Sequence, residues 1–206
     1  MTAIKGLLFD KDGTLFDFRS TWGGWTRLVV RDLSGGDPVR ESALAKLLGY
    51  DLATGDFAAD SAVIAHTTAE IRDLVLPHLT ATDADDLLDR MNQMATENDM
   101  IEAVPLVPLF QRFTDMGLHL GLATNDAEVP ARAHLERAHI GGHFHFVSGF
   151  DSGWGGKPET GQMRAFLDQT GLAAREAAMV GDSLHDMHAA RKAGVVRYSP
   201  DAFAAM

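Results

Sequence analysis

The stretch Ile4–Thr14, IKGLLFDKDGT, decides the fold class of this chain. Its first residues are mostly apolar and are typical of a short buried strand, which ends where Asp10 begins a polar turn. Asp10 and Asp12 stand two residues apart at that strand end, and Gly13 gives the backbone the freedom to turn. Two carboxylates placed in this way can both point into one cleft, although an ordinary polar turn also favours Asp and Gly.

Four further segments repeat this pattern of a brief apolar run that stops at polar or glycine residues. They are Leu118–Ala123, Phe144–Val147, Ala177–Val180 and Val195–Tyr198. After Ala103 these runs alternate with helical patterns, which is the signature of a parallel sheet with helices on its faces. We therefore predict an α/β fold, a Rossmann-like parallel sheet with helices on both faces. Ligands of such sheets bind beyond the carboxyl ends of the strands.

The intervening stretch, residues 20–103, shows helical periods and no convincing strand. Its apolar residues fall on four helical stripes. The third stripe comprises Ile64, Thr68, Ile71 and Val75. The stretch also carries 6 basic and 15 acidic residues, against 12 and 14 in the rest of the chain. We predict an all-helical domain over residues 20–103, inserted into an α/β core formed by residues 1–19 and 104–206.

Composition excludes several classes of function. The chain has 206 residues and a net charge of −11, which argues against nucleic acid or an anionic membrane as the main partner, because both require clustered Lys and Arg. It contains no cysteine, which excludes a disulfide scaffold, a thiolate metal site and a cysteine nucleophile. No run of about 18 apolar residues occurs, and the early strand leaves no room for a signal peptide, so we expect a cytoplasmic protein.

A second acidic motif, GDSLHD, follows the fourth predicted strand and opens a helix. Ser183 and Asp186 have the spacing of a capping box, which by itself only stabilises the start of a helix. Asp182 lies at the strand end, where a third carboxylate can meet Asp10 and Asp12. Because carboxylates in one cleft repel one another, and because oxygen-only ligands suit a hard cation, this set is typical of a Mg²⁺ site.

Two loops carry candidate anion-binding residues. Thr124, Asn125 and Asp126 follow the second predicted strand, where a hydroxyl and backbone N–H groups near a helix start can hold an anion. Asp126 can also be explained as the N-cap of the helix that runs through Leu135. Lys157 follows two glycines and precedes another helix, where it could neutralise a phosphate. A surface lysine in a glycine loop is the alternative.

The order of these motifs is more specific than any one of them. Strand-DxDGT, a helical insert, strand-TN, a loop lysine and strand-GDxxxD together resemble the haloacid dehalogenase superfamily, in its phosphoglycolate phosphatase-like branch. The resemblance runs from about Ile4 to Tyr198 and departs from the usual pattern at GKPET, where a second proline often follows. It implies that the α/β part is the catalytic core and that the helical insert is a cap domain.

The resemblance also implies a role for each motif residue. Asp10 would be the nucleophile that takes the phosphoryl group, and Asp12 the general acid–base. The implied phosphate-binding residues are Thr124, Asn125 and Lys157. The implied Mg²⁺ ligands are Asp10, Asp12 through its backbone carbonyl, Asp182 and, through water, Asp186.

These roles predict a Mg²⁺-dependent phosphatase. It would hydrolyse a small phosphorylated metabolite, a phosphomonoester such as phosphoglycolate, through an aspartyl-phosphate intermediate. Two alternatives stay open at this stage. One is a phosphoglucomutase-like phosphoryl transferase on the same fold, and the other is a catalytically silent binding domain.

Overall fold

The computed structural model describes residues 3–80 and 82–204 of the chain. The chain divides into two compact units. One unit combines Met1–Asp17 with Glu102–Met206, and the other is the continuous segment Phe18–Ile101. The segment that separates the two parts of the first unit therefore begins and ends within two residues of the helical insert expected from the sequence.

The first unit is built on a five-stranded parallel sheet with the order β3-β2-β1-β4-β5. The strands are β1 Gly6–Phe9, β2 His119–Ala123, β3 Phe146–Ser148, β4 Ala177–Val180 and β5 Val196–Tyr198. β1 lies in the centre, paired with β2 on one side and with β4 on the other. The carboxyl ends of these three strands thus lie side by side, and the segments that follow them meet at one edge of the sheet.

Helices pack on both faces of this sheet. They are α6 Leu106–Asp115, α7 Glu128–Arg137, α8 Gly161–Thr170, α9 Leu184–Ala193 and α10 Pro200–Ala204. Side chains alternate along β1, as in any strand. Leu8 belongs to an apolar cluster with Phe166 of α8, whereas the ring of Phe9 lies 5.2 Å from that of Phe110 on α6. The predicted α/β fold class is confirmed.

The second unit is helical, with a separate apolar core. Its helices are α1 Phe18–Ser34, α2 Pro38–Leu47, α3 Ala62–Ala65, α4 Thr68–Val75 and α5 Ala84–Glu97. Trp25 is fully buried in this core and donates its indole N–H to the carbonyl of Met91, 3.2 Å away. Tyr50 donates its hydroxyl to the carbonyl of Gly23 at 2.9 Å. No helix of the described residues is long and apolar enough to cross a membrane.

Two local expectations were wrong. The third helical stripe is not one helix, because Thr67 is extended and caps α4. Its hydroxyl accepts from the N–H of Glu70 at 3.2 Å, and the Glu70 carboxylate accepts from the N–H of Thr67 at 2.7 Å. Such a capping box starts a new helix and separates α3 from α4. The third strand begins at Phe146, two residues later than expected, because residues 141–143 form a turn of 3₁₀ helix before it.

Candidate active site

The loop after β1 places two carboxylates at the centre of the sheet edge. Asp10 follows the last residue of β1 directly, and its N–H donates to the carbonyl of Val180 on β4 at 2.8 Å. Its side chain is largely buried. The backbone then turns at Gly13, whose φ of 78° is in the left-handed region. Asp12 precedes that turn and keeps a part-exposed carboxylate.

Lys157 is buried within this set of acids, not exposed on a surface loop. Its ammonium lies 2.6 Å from Asp10 Oδ1 and 2.6 Å from Asp186 Oδ1. Asn125 holds the lysine's backbone through a reciprocal pair of hydrogen bonds. Its Nδ2 donates to the carbonyl of Lys157 at 2.9 Å, and its Oδ1 accepts from the N–H of Lys157 at 2.7 Å. Asn125 therefore positions the lysine, and its expected role in binding phosphate stays a prediction.

Thr124 follows β2, next to β1 in the sheet. It is buried, and its Oγ1 accepts from the N–H of Asp126 at 3.1 Å. The Thr124 carbonyl accepts from Nε2 of Gln162 at 2.9 Å, a contact between α8 and the β2 loop that the motifs did not indicate. A hydroxyl that accepts in this way still has its own proton to donate.

Three carboxylates of this site could hold a cation together. Asp10, Asp182 and Asp186 each offer an oxygen, and these atoms lie within 4.8 Å of one another. A side chain at position 13 would clash with Asp182, since a Cβ there would lie 2.1 Å from Asp182 Oδ2. Gly13 thus gives the Asp182 carboxylate its room. An all-oxygen, anionic donor set of this kind fits a hard divalent ion such as Mg²⁺.

Asp186 serves two structures with its two oxygens. Oδ1 lies 2.6 Å from the ammonium of Lys157, whereas Oδ2 accepts from the N–H of Ser183 at 3.0 Å and from its hydroxyl at 2.6 Å. Ser183 in turn accepts from the N–H of Asp186 at 3.2 Å. Asp186 therefore completes the capping box at the start of α9 and also lies in the candidate site.

The pKa values of these groups report crowding of negative charge. Burial and the neighbouring Asp186 raise the pKa of Asp10 well above its usual range, and Lys157 only partly opposes this. Burial and Asp186 also raise the pKa of Asp182 to about 6. Burial tends to lower the pKa of Lys157, but Asp10 and Asp186 outweigh it, so the pKa is raised and the lysine stays charged. Lys157 is thus a buried cation among carboxylates that repel one another.

A second buried lysine escaped the sequence analysis. Lys11 has no exposed surface, and its ammonium lies 2.8 Å from Asp12 Oδ1, 3.2 Å from His134 Nδ1 and 3.4 Å from Asp126 Oδ2. Asp126 is not the N-cap of α7, because Ala127 occupies that position. Its Oδ1 instead accepts from the N–H of Ala127 at 2.8 Å, while Oδ2 faces the lysine. A lysine between two aspartates at the end of an apolar strand was the available signal.

The family model of the haloacid dehalogenase-like hydrolases matches residues 4–194, nearly the whole chain. The chain belongs to the haloacid dehalogenase-like hydrolases. Within the family, this hydrolase is 30% identical to a phosphoglycolate phosphatase of Rhodospirillum rubrum. The match covers 93% of this chain and 77% of that protein.

Solved structures share the fold of this haloacid dehalogenase-like hydrolase at low sequence identity. CbbY of Rhodobacter sphaeroides, solved with phosphate, superposes with a TM-score of 0.69 at 18% identity, over 95% of this chain and 85% of that one. A predicted phosphoglycolate phosphatase of Haemophilus somnus gives 0.67 at 18% identity, over 98% and 89%. The predicted membership of this family and the phosphoglycolate phosphatase-like character are confirmed.

Proposed function

We propose that this hydrolase is a Mg²⁺-dependent phosphatase that cleaves a small phosphomonoester, of the size of phosphoglycolate, through a phosphoryl group carried on Asp10. The carrying observation is the position of Lys157, whose ammonium lies 2.6 Å from both Asp10 and Asp186. A cation buried between the candidate nucleophile and a candidate metal-supporting acid is suited to a dianionic phosphate. The relative from Rhodospirillum rubrum supports the substrate class.

Charge is the main obstacle to this reaction. A phosphomonoester dianion repels a carboxylate nucleophile, and its uncatalysed hydrolysis is among the slowest reactions known. The Lys157 ammonium neutralises part of that charge and is in contact with the Asp10 carboxylate, so it can bring phosphate and carboxylate together. The Thr124 hydroxyl contributes a hydrogen bond from the neighbouring loop. Asp10, Asp182, the Asp12 carbonyl and, through water, Asp186 would hold Mg²⁺, which would further neutralise the charge of the transferring group.

The two aspartates of the β1 loop then divide the chemistry. A carboxylate oxygen of Asp10 bonds to phosphorus while the bond from phosphorus to the ester oxygen breaks, and Asp12 gives its proton to the departing alkoxide. Water next attacks phosphorus, its proton passes to Asp12, and the Asp10 carboxylate leaves as inorganic phosphate forms. Asp12 thus returns to its starting state. The helical unit, Phe18–Ile101, serves in this proposal as the cap that selects the substrate.

The test is phosphate release from a panel of small phosphomonoesters, with and without Mg²⁺. Asp10→Asn keeps the size of the side chain and removes the nucleophile, so kcat should fall about 10⁵-fold or more. Asp168→Asn, at an exposed position on α8, is the matched control and should retain wild-type kcat. An acid-quenched wild-type reaction should contain protein phosphorylated at Asp10 and sensitive to hydroxylamine, as an acyl phosphate is.

Three results would contradict the proposal. Substantial turnover by folded Asp10→Asn protein would remove Asp10 from the nucleophile role. Release of the alcohol together with a new phosphate ester, without inorganic phosphate, would indicate phosphoryl transfer. No turnover of any ester by the wild type would favour a binding role.

A further inference from the structure

Lys11 occupies a position that an apolar side chain would fill at lower cost. It lies between the proposed nucleophile and the proposed acid–base, yet it has no exposed surface and cannot touch substrate from the solvent side. Burying an ammonium costs several kcal/mol unless charge and hydrogen-bond partners compensate, and hydrophobic replacement of buried ion pairs is often stabilising. Burial tends to lower the pKa of Lys11, but Asp12 and Asp126 outweigh it and raise the pKa. The buried group is therefore a full cation.

The partners of Lys11 anchor it to the next strand and helix of the α/β unit. Asp126 follows β2, and both its backbone and side chain are fixed: its N–H donates to Thr124, and its Oδ1 accepts from Ala127. His134 on α7 is buried and places Nδ1 3.2 Å from the ammonium. Because an ammonium can only donate, this contact is a hydrogen bond in the tautomer that leaves Nδ1 unprotonated.

The same ammonium is also in contact with Asp12. Lys11 Nζ lies 2.8 Å from Asp12 Oδ1. The last torsion of an aspartate side chain has a broad, roughly two-fold preference, so without a partner the carboxylate plane is poorly fixed. An ammonium at Oδ1 fixes that plane. It also disfavours a proton on Oδ1, because that oxygen accepts from a positively charged donor, and so leaves Oδ2 as the favoured site of protonation.

We infer that Lys11 is a positioning residue for the proposed phosphatase reaction, which holds the Asp12 carboxylate so that Oδ2 is the oxygen that passes a proton to the leaving group. The inference rests on the proposed function, because it requires Asp12 to act as the acid. It gives a function to three buried residues that take no part in the proposed reaction steps, namely Lys11, Asp126 and His134.

The experiment uses two esters of similar size that differ in their need for a proton. Phosphoglycolate releases an alkoxide, which must be protonated, whereas acetyl phosphate releases acetate, which is stable as an anion. The quantity measured is kcat/KM, because it reports the steps up to departure of the leaving group and not the later hydrolysis of the phosphoenzyme. Reactions of Asp10→Asn protein supply the background rate for both esters.

In Lys11→Met, kcat/KM should fall about 10²- to 10⁴-fold with phosphoglycolate, the range that general acid catalysis supplies. With acetyl phosphate it should fall less than about tenfold, because the acid has little to contribute. Lys5→Met is the matched control. Lys5 lies on the same segment and pairs with Glu176 at the surface, so kcat/KM of this variant should be unchanged with both esters.

Each other outcome decides against the inference. An equal loss on the two esters would mean that Lys11 shapes the site as a whole, and an undiminished rate on phosphoglycolate would mean that Asp12 needs no such partner. A wild type inactive on both esters with Mg²⁺ would remove the proposed function first, and this inference with it. That result is distinguishable, since it appears before any variant at position 11 is made.

A second variant covers the case in which Lys11→Met does not fold. Removing the ammonium alone leaves Asp126 buried without its cation, whereas Lys11→Met/Asp126→Asn leaves no unpaired charge there. An amide at 126 can still accept from the N–H of Ala127. This double variant should show the same selective loss on phosphoglycolate. Unfolding of both variants would give Lys11 a purely structural role and overturn the inference.

Discussion

The α/β unit buries two lysines beside pairs of carboxylates, and they differ in what else surrounds them. Lys157 lies between Asp10 and Asp186, which belong to the set of acids able to hold a cation. Lys11 lies between Asp12 and Asp126, with His134 as a further partner. In the reaction that we propose, the same residue type would bind the phosphate directly in one place and position an acid in the other. The lesson is that a buried cation acquires its role from what its partner carboxylates do.

Replacing Lys157 tests this difference most strongly. In Lys157→Met, kcat/KM should fall about 10²- to 10³-fold, as when a group that stabilises transition-state charge is removed. The loss should be similar for phosphoglycolate and acetyl phosphate, because neutralising phosphate does not depend on the leaving group. This uniform loss is the counterpart of the selective loss expected for Lys11→Met.

The measurement is kcat/KM on both esters for folded Lys157→Met, with circular dichroism to establish folding and Lys5→Met as the control. A loss confined to phosphoglycolate would contradict the distinction between the two lysines.

An intermediate effect, on thermal stability, is expected for Asp182, one of the acids near Lys157. In metal-free protein, Asp182→Asn should raise Tm by a few degrees at about pH 8, and this gain in Tm should vanish at about pH 4. The pKa of Asp182 is about 6 in the folded protein, above its usual 3.8, so the folded state holds this proton more tightly. The charged carboxylate therefore destabilises the fold above pH 6, and this cost disappears as pH falls through the window between the two values.

Added Mg²⁺ should reverse the order of the two proteins. A ligand that binds only the folded state raises Tm, so the wild type should gain more than Asp182→Asn, which has lost an anionic ligand. Thermal unfolding at several pH values, with and without Mg²⁺, measures both effects, and Asp168→Asn serves as the surface control. A metal-free Tm at pH 8 that is unchanged or lower in Asp182→Asn would contradict the account of charge crowding.

The smallest effect is expected for a third lysine, at the surface. Lys5 Nζ lies 2.7 Å from Glu176 Oε1, close to the distances of the buried pairs, but the lysine side chain is mostly exposed. Water and salt screen such a pair, so Lys5→Met should change Tm by no more than about 2 °C. Thermal unfolding at low and high salt measures this. If Lys5→Met lowered Tm as much as Lys11→Met does, burial would not be what distinguishes these lysines.

Much of the fold was accessible from the sequence because strand ends are marked locally. Asp10, Thr124 and Asp182 each follow an apolar run, and parallel strands bring their carboxyl ends to one edge. That rule alone predicts that the three residues meet. Local patterns were less reliable where a competing signal interrupts them, as at Thr67, whose capping box with Glu70 divides a stripe that is otherwise continuous.

The surroundings of each motif residue could not be predicted in the same way. Lys11 and His134 are separated by 123 positions in the chain, and only the packing of α7 beside the β1 loop brings them together. Local rules made Asp126 a plausible helix cap. Its side chain instead faces the buried ammonium of Lys11, which is stabilised by a second carboxylate. The roles of the motif residues in catalysis stay predictions.

Asp186 has a consequence for how this protein tolerates mutation. One oxygen of its carboxylate completes the cap of α9, and the other is in contact with Lys157. A screen for correct folding and a screen for activity should therefore both reject substitutions at position 186, for separate reasons. Sequence variation at this position would then be doubly constrained, and neither screen alone could tell an observer which of the two demands had kept the aspartate in place.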